Sequence, residues 1–178
     1  MTKDDFKKIF YSNSLLNVDW FNLEEITLMY EENLIGFNKI FLGNSNKFDQ
    51  ALGIVQDPTQ GLINGGESQQ HIALKFLIRQ FLSNKYKFKI DDFYIEYPFL
   101  GFEVDLIDKN FRFPSECGDT NALKLEKYLS PPTVEKFFVL PYPHMDDIYT
   151  FEFFAQPDFI KYIEFKKDYF NKKNSKLR

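Results

Sequence analysis

Apolar positions divide the chain into two regimes. Up to about residue 83 they recur every three or four residues, the helical period, and from residue 93 they gather in short alternating or continuous runs. Phe6, Ile9 and Phe10 form a first helical group before the polar break Ser12-Asn13-Ser14. Leu23, Ile26, Tyr30, Leu34, Phe37 and Phe41 predict a longer helix over about Asn22 to Leu42, weakened in its middle by Gly36. From Gly43 to Gly66 the period is lost among Gly, Asn, Ser and Asp57-Pro58. An irregular connection is expected there, of the length that becomes a lid or binding loop, with at most a short strand near Leu52-Ile54-Val55. The next helix runs from Glu67 to about Ser83. Ala73, Phe76, Leu77 and Phe81 mark its buried side, with Glu67, Gln70, His71, Leu74 and Ile78 on a neighbouring stripe. Glu67 falls in its first turn, where free amides favour a carboxylate.

The second regime reads as strands at Phe93 to Tyr97, Gly101 to Ile107, Phe111 to Glu116 and Phe137 to Leu140. Asp108-Lys109-Asn110 is a hairpin connection that makes the second and third antiparallel neighbours. A helix capped by Asn121 ends before Pro131-Pro132, a further strand covers Tyr149 to Phe154, and a last helix runs from Asp158 to about Phe170. The predicted fold class is α/β, a mixed central sheet flanked by helices, which hides both sheet faces. The 178 residues suffice for one substantial core, so a single domain 1–178 is expected: a helical N-terminal addition over 1–42, a central core over 67–140, and a C-terminal helix with basic tail over 158–178.

With 44% apolar and 27% charged residues the chain is neither disordered nor fibrous. Its 22 Phe and 10 Tyr must enter a core or a partner surface, and the aromatic N-terminal helices are the natural place for homo-oligomer contacts. One cysteine excludes an internal disulfide framework. No apolar run approaches membrane-spanning length, so no membrane partner and a cytoplasmic or otherwise intracellular location are expected. A net charge of -4 argues against indiscriminate nucleic-acid binding. Seven basic residues from Lys161 to Arg178 nonetheless give the C-terminal end a basic face, which suits either a phosphate backbone or plain solvation.

The chemistry concentrates in Glu103-Val104-Asp105 and Ser115-Glu116-Cys117-Gly118. Alternation puts Glu103 and Asp105 on one face of their strand, and Glu116 and Gly118 on one face of theirs, with Cys117 packing opposite. Pairing these strands brings Asp105 and Glu116 together, and carboxylate oxygens suit Mg2+ or Mn2+. Lys124 and Lys127, three apart on the following helix, offer an ammonium, Lys124 being nearer the acidic strand. Such a set can activate water and stabilise a phosphoryl transition state. A second constrained loop, Pro141 to Asp147, places His144 beside Asp146 and Asp147, an arrangement that turn formation alone also explains.

These residues and the predicted element order resemble the PD-(D/E)xK nuclease superfamily, with its restriction-endonuclease-like α-β-β-β-α-β core, over roughly Glu67 to Leu140. The resemblance implies a metal-dependent nuclease acting on DNA or RNA, with Asp105 and Glu116 as the motif acids and Glu67 as the additional helix acid. Asp105, Glu116 and Glu67 would be the metal ligands. The motif lysine would fall at Gly118, and Val104 stands where proline is usual, so the chain is a divergent member; Lys124 is then the replacement for the lysine, ahead of Lys127. His71 would support Glu67 or touch substrate phosphate. Two other readings fit the residues: a catalytically inactive nuclease-fold adaptor for nucleic acid or protein, suggested by Gly118, and an oligomeric structural or assembly protein built on the N-terminal aromatics.

Overall fold

The computed structural model describes residues 3–11, 21–55, 68–143 and 147–175. Its centre is a six-stranded mixed sheet of β2 (Ile35–Asn44), β3 (Phe93–Phe99), β4 (Phe102–Asp108), β5 (Ser115–Cys117), β7 (Phe137–Leu140) and β8 (Asp147–Ala155), in the spatial order β2-β8-β7-β5-β4-β3. All neighbours are antiparallel except β5 and β7, whose parallel pairing is bridged by helix α5 (Ala122–Leu129). A separate two-residue parallel pair joins β1 (Phe10–Tyr11) to β6 (Thr120–Asn121). The mixed sheet flanked by helices is the α/β class that the two hydrophobic periods predict.

The central strand β7 shows why both faces are covered. Phe137 and Val139 pack toward one core and Phe138 and Leu140 toward the other, all four fully buried. The first core is closed by α1 (Lys3–Phe6), α2 (Leu23–Glu31), α5 and α6 (Phe159–Ser175); the second by α3 (Ser45–Val55) and α4 (Gln69–Tyr86). Phe6, Phe10 and Phe21, which had been available for a partner surface, lie in the first core. No described helix is long and apolar enough to cross a membrane.

The predicted helix over 22–42 is corrected. It is α2 followed by β2, an edge strand of the central sheet, so 1–42 is not a helical addition. Asn33 breaks the period by taking a left-handed backbone (φ 54). The amides of Asn33 and Leu34 then bond back to Tyr30 (3.1 Å) and Met29 (2.8 Å), closing α2 in a Schellman turn. Gly36 is a strand residue: a Cβ there would sit 2.3 Å from the Phe154 ring of the paired strand, so its lack of a side chain lets that ring lie across β2.

The irregular stretch expected over 43–66 is corrected in its first part by α3, whose Ala51 and Val55 are buried one turn apart; residues 56–67 lie outside the described ones. The third predicted strand begins only at Ser115, not Phe111. The intervening turn is built by Asp108, fully buried, which accepts from the backbone amides of Arg112 (2.7 Å), Phe113 (2.8 Å) and Asn110 (3.2 Å), and from Arg112 Nε (3.3 Å). This short-range competition from a side chain shortens the strand. Antiparallel pairing of β4 with β5 is as predicted, but it is limited to Leu106 opposite Ser115.

Removing that carboxylate strands several buried amides at once. Asp108→Ala should cost about 2–4 kcal/mol in urea unfolding, and Asp108→Asn, which keeps one acceptor oxygen, clearly less; a loss below about 1 kcal/mol for the alanine variant would contradict this role.

Candidate active site at the β4–β5 divergence

Beyond Leu106 and Ser115 the strands β4 and β5 part, and a side chain takes over the ladder. Asp105 Oδ2 accepts the Cys117 backbone N–H at 2.7 Å. The other oxygen, Oδ1, lies 3.1 Å from His71 Nε2. His71 stands in the first turn of α4, whose start is fixed by Ser68: its hydroxyl accepts the His71 amide at 3.2 Å. The predicted strand acid is therefore held between a neighbouring backbone and a helix N-terminus.

Glu116 occupies the other side of the divergence and is 3% exposed. Lys124 donates to its Oε2 at 2.6 Å and the Tyr128 hydroxyl to its Oε1 at 3.0 Å. Both donors lie on one face of α5, four residues apart. Lys124 also donates to the Glu103 carbonyl at 3.0 Å, so it spans both acidic strands, while the Glu103 side chain is exposed at the rim. It is Lys124, not Lys127, that meets the acid. The helix is positioned by Asn121, whose side chain accepts from the Leu123 amide at 2.9 Å.

Burial raises the Glu116 carboxyl to about 7, and the nearby Asp105 charge pushes the same way; the bonds from Lys124 and Tyr128 offset these only in part. Burial, and then the Glu116 charge, pushes the Tyr128 hydroxyl far above its ordinary range. Near neutral pH Glu116 is thus close to its midpoint of protonation beside the Asp105 charge, a poise characteristic of acid–base and cation sites.

Gly118 is explained without a ligand. Its backbone is left-handed (φ +75), its amide donates to the Leu140 carbonyl at 2.8 Å, and a Cβ there would lie 2.6 Å from the Tyr142 ring. No lysine fits at this position, so an ammonium for this site has to come from elsewhere. Cys117 packs on the opposite face, in the second core, as its alternation predicts.

Three contributors escaped the sequence reading. Lys75, one turn after His71, is fully buried and pairs with Glu96 at 2.5 Å. Glu96 takes a left-handed backbone (φ 50) on β3, opposite Asp105 between the register pairs Ile95–Leu106 and Tyr97–Val104. The available signal for Lys75 was its spacing of four from His71 within an apolar stripe; for Tyr128 it was the same spacing from Lys124. Glu96 had none, because its partner is far away in sequence.

Glu67, the predicted third acid, and His144 and Asp146 of the constrained loop lie outside the described residues. Among the described residues no three His, Cys, Asp or Glu side chains are grouped as a metal-ligand set. The basic C-terminal helix is partly neutralised: Lys161 pairs with Asp158 (3.0 Å), Lys166 with Glu25 (3.3 Å) and Lys167 with the buried Glu126 (2.5 Å). Neither a family model nor a curated protein nor a solved structure matches the chain.

The raised carboxyl gives a pH signature. Glu116 has a higher proton affinity in the folded state than in the unfolded one, so its contribution to stability is complete below the ordinary carboxylate value of 4.5 and is lost as pH rises to about 7. Relative to the native chain, Glu116→Gln should therefore gain stability on going from pH 4.5 to above 7, by on the order of 3 kcal/mol, as read from urea unfolding at a series of pH values. Parallel pH profiles for the two proteins would contradict it.

Proposed function

We propose that the protein is a divalent-metal-dependent nuclease that hydrolyses phosphodiester bonds in DNA or RNA. The observation that carries this reading is the meeting of Asp105, Glu116 and Lys124 where β4 and β5 diverge, with Lys124 2.6 Å from Glu116 and bridging to the Glu103 carbonyl. The order α4-β3-β4-β5-α5-β7, with a single 3-10 turn (Ile90–Asp92) before β3 and the two-residue β6 before α5, supports a restriction-endonuclease-like core of the PD-(D/E)xK kind.

The donor chemistry fits Mg2+ or Mn2+. The carboxylates are hard ligands, and Glu116 sits in a place where burial and the Asp105 charge disfavour its ionised form unless further positive charge is supplied. Asp105 and Glu116 would hold the ion, with Glu67 as a third ligand. Bound there, it would supply an activated water and neutralise phosphate charge.

The remaining work belongs to the chain. Lys124 places a second positive charge beside the acids and is suited to stabilise negative charge developing on phosphoryl oxygens. Tyr128 fixes the Glu116 carboxyl from below. His71 orients Asp105 and, being on its solvent-accessible side, is placed to contact a phosphate or exchange a proton. Lys75 and Glu96 keep the α4 side rigid behind it.

A second reading has its own observation. Both Glu116 oxygens are already hydrogen-bonded, and Lys124 is engaged by Glu116 and Glu103 together, a closed network that also suits a noncatalytic adaptor on the same fold.

Incubation of the purified chain with single-stranded and duplex DNA and RNA, in the presence of Mg2+ or Mn2+, separates the two. Cleavage is expected, falling at least about a hundredfold in Asp105→Ala and Glu116→Gln and less steeply in Lys124→Met, each with an unchanged circular dichroism spectrum. Metal-dependent cleavage that survives both acid substitutions would overturn the assignment of the site, and retention of nucleic acid without turnover would favour the adaptor.

A further inference from the structure

Five aromatic rings that this chemistry does not use form one half-buried row beside the site. Tyr94 and Tyr97 stack at 4.7 Å with their planes 20° apart, Tyr94 and Phe111 lie at 6.1 Å and 27°, and Phe99 and Phe111 at 5.7 Å and only 6°. The row continues from Phe99 to Tyr128 at 5.6 Å, and Phe102 meets Tyr128 edge-on at 6.3 Å. It runs along β3, the outermost strand of the sheet, and reaches the two side chains that hold Glu116.

Cations stand at both ends. Lys109 Nζ is 5.9 Å from the Tyr94 ring centre and Lys124 Nζ 5.8 Å from that of Phe102. Phe111, in the middle, takes a left-handed backbone (φ 57), which costs a bulky residue on the order of 1–2 kcal/mol. The Asp108 turn holds it there, so the fold tolerates strain to complete the row of rings.

We propose that this row is a stacking platform for unpaired bases of single-stranded nucleic acid, guiding the backbone toward Lys124 and Glu116. Nearly parallel, partly exposed rings match the π-faces that every unpaired base offers, and the ammonium groups of Lys109 and Lys124 at the two ends of the row are placed to meet its phosphates. A duplex keeps those faces covered by its own stacking. Among the acids near the row, Glu96 pairs with Lys75, Asp108 with Arg112 and Glu116 with Lys124, while Glu103 is exposed at the Phe102 end and Asp91 just before β3, so recognition rests on the rings more than on net charge. The role of the row as a guide rests on the nuclease reading; the binding itself does not.

The experiment is fluorescence anisotropy on the full-length Asp105→Ala chain in EDTA, with fluorescein-labelled oligo-dT of roughly fifteen nucleotides as probe. Salt-sensitive binding is expected, at least about tenfold tighter than to a hairpin duplex of the same length. Tyr97→Leu, which keeps apolar bulk without a ring, should weaken it about tenfold, and Tyr97→Phe should preserve it; thermal melts of the same proteins confirm that they are folded. Equal affinity for the duplex, no binding, or unchanged binding by Tyr97→Leu would each overturn the platform. The two readings fail separately. Metal-dependent cleavage by an otherwise native chain that Tyr97→Leu leaves untouched overturns the platform alone, whereas binding that depends on Tyr97 in a chain without cleavage supports the platform and removes the nuclease.

Discussion

The hydrogen bond from the Cys117 amide to Asp105 is the constraint on which the rest of the site depends. Where β4 and β5 part, that amide loses its ladder partner in a largely buried place, and an unpaired donor there is costly. The carboxylate of Asp105 satisfies it, which fixes a negative charge next to the residue that precedes Cys117. Glu116 is consequently buried beside a charge of its own sign, and the lysine and tyrosine of α5 are the response to that crowding. A substitution at Asp105 therefore acts on the strand geometry and on Glu116 together.

The same logic runs along α4, which is fastened to the sheet by three base–acid pairs. His71 meets Asp105 at its N-terminal end, Lys75 meets Glu96 in its body, and Lys85 meets the buried Glu152 at 2.6 Å near its C-terminal end. Glu152 also accepts from Lys136 at 2.8 Å and Asn38 at 2.9 Å. Burial by itself would raise the Glu152 carboxyl; these donors outweigh it and hold the group below its ordinary value. Several charged residues of this sequence thus act as internal fasteners between helices and sheet. The pairs of α6 with Glu25 and Glu126 extend the pattern to the other face, and they leave less free positive charge on the C-terminal helix than its composition suggests.

What was legible in the sequence was what local rules decide. The short aromatic and β-branched run Phe137 to Leu140 read as a strand, Asn121 announced the start of α5, and the two acids and Lys124 followed from strand alternation and helix spacing. What was not legible depended on distant partners. Ile35 to Phe41 satisfies a helical period as well as an extended one, and the choice is made by nine pairs formed with β8 and by the left-handed turn at Asn33. Glu96 gains a role only when Lys75 is brought over it. Gly118 looked like a missing functional residue because the Tyr142 ring that occupies its space lies more than twenty positions further on.

The pairing of β2 with β8 also sets the order in which the molecule can be made. Ile35 pairs with Ala155, and the small ladder of β1 with β6 ties Phe10 to Thr120, so neither of the first two strands finds its partner until most of the chain exists. At ribosomal rates of about 5–20 residues per second, the earliest sheet strand waits on the order of ten seconds with its backbone groups unpaired and its phenylalanines uncovered. Completion of the sheet is therefore paced by the arrival of β8 instead of by the α4-to-β7 segment that holds the candidate site.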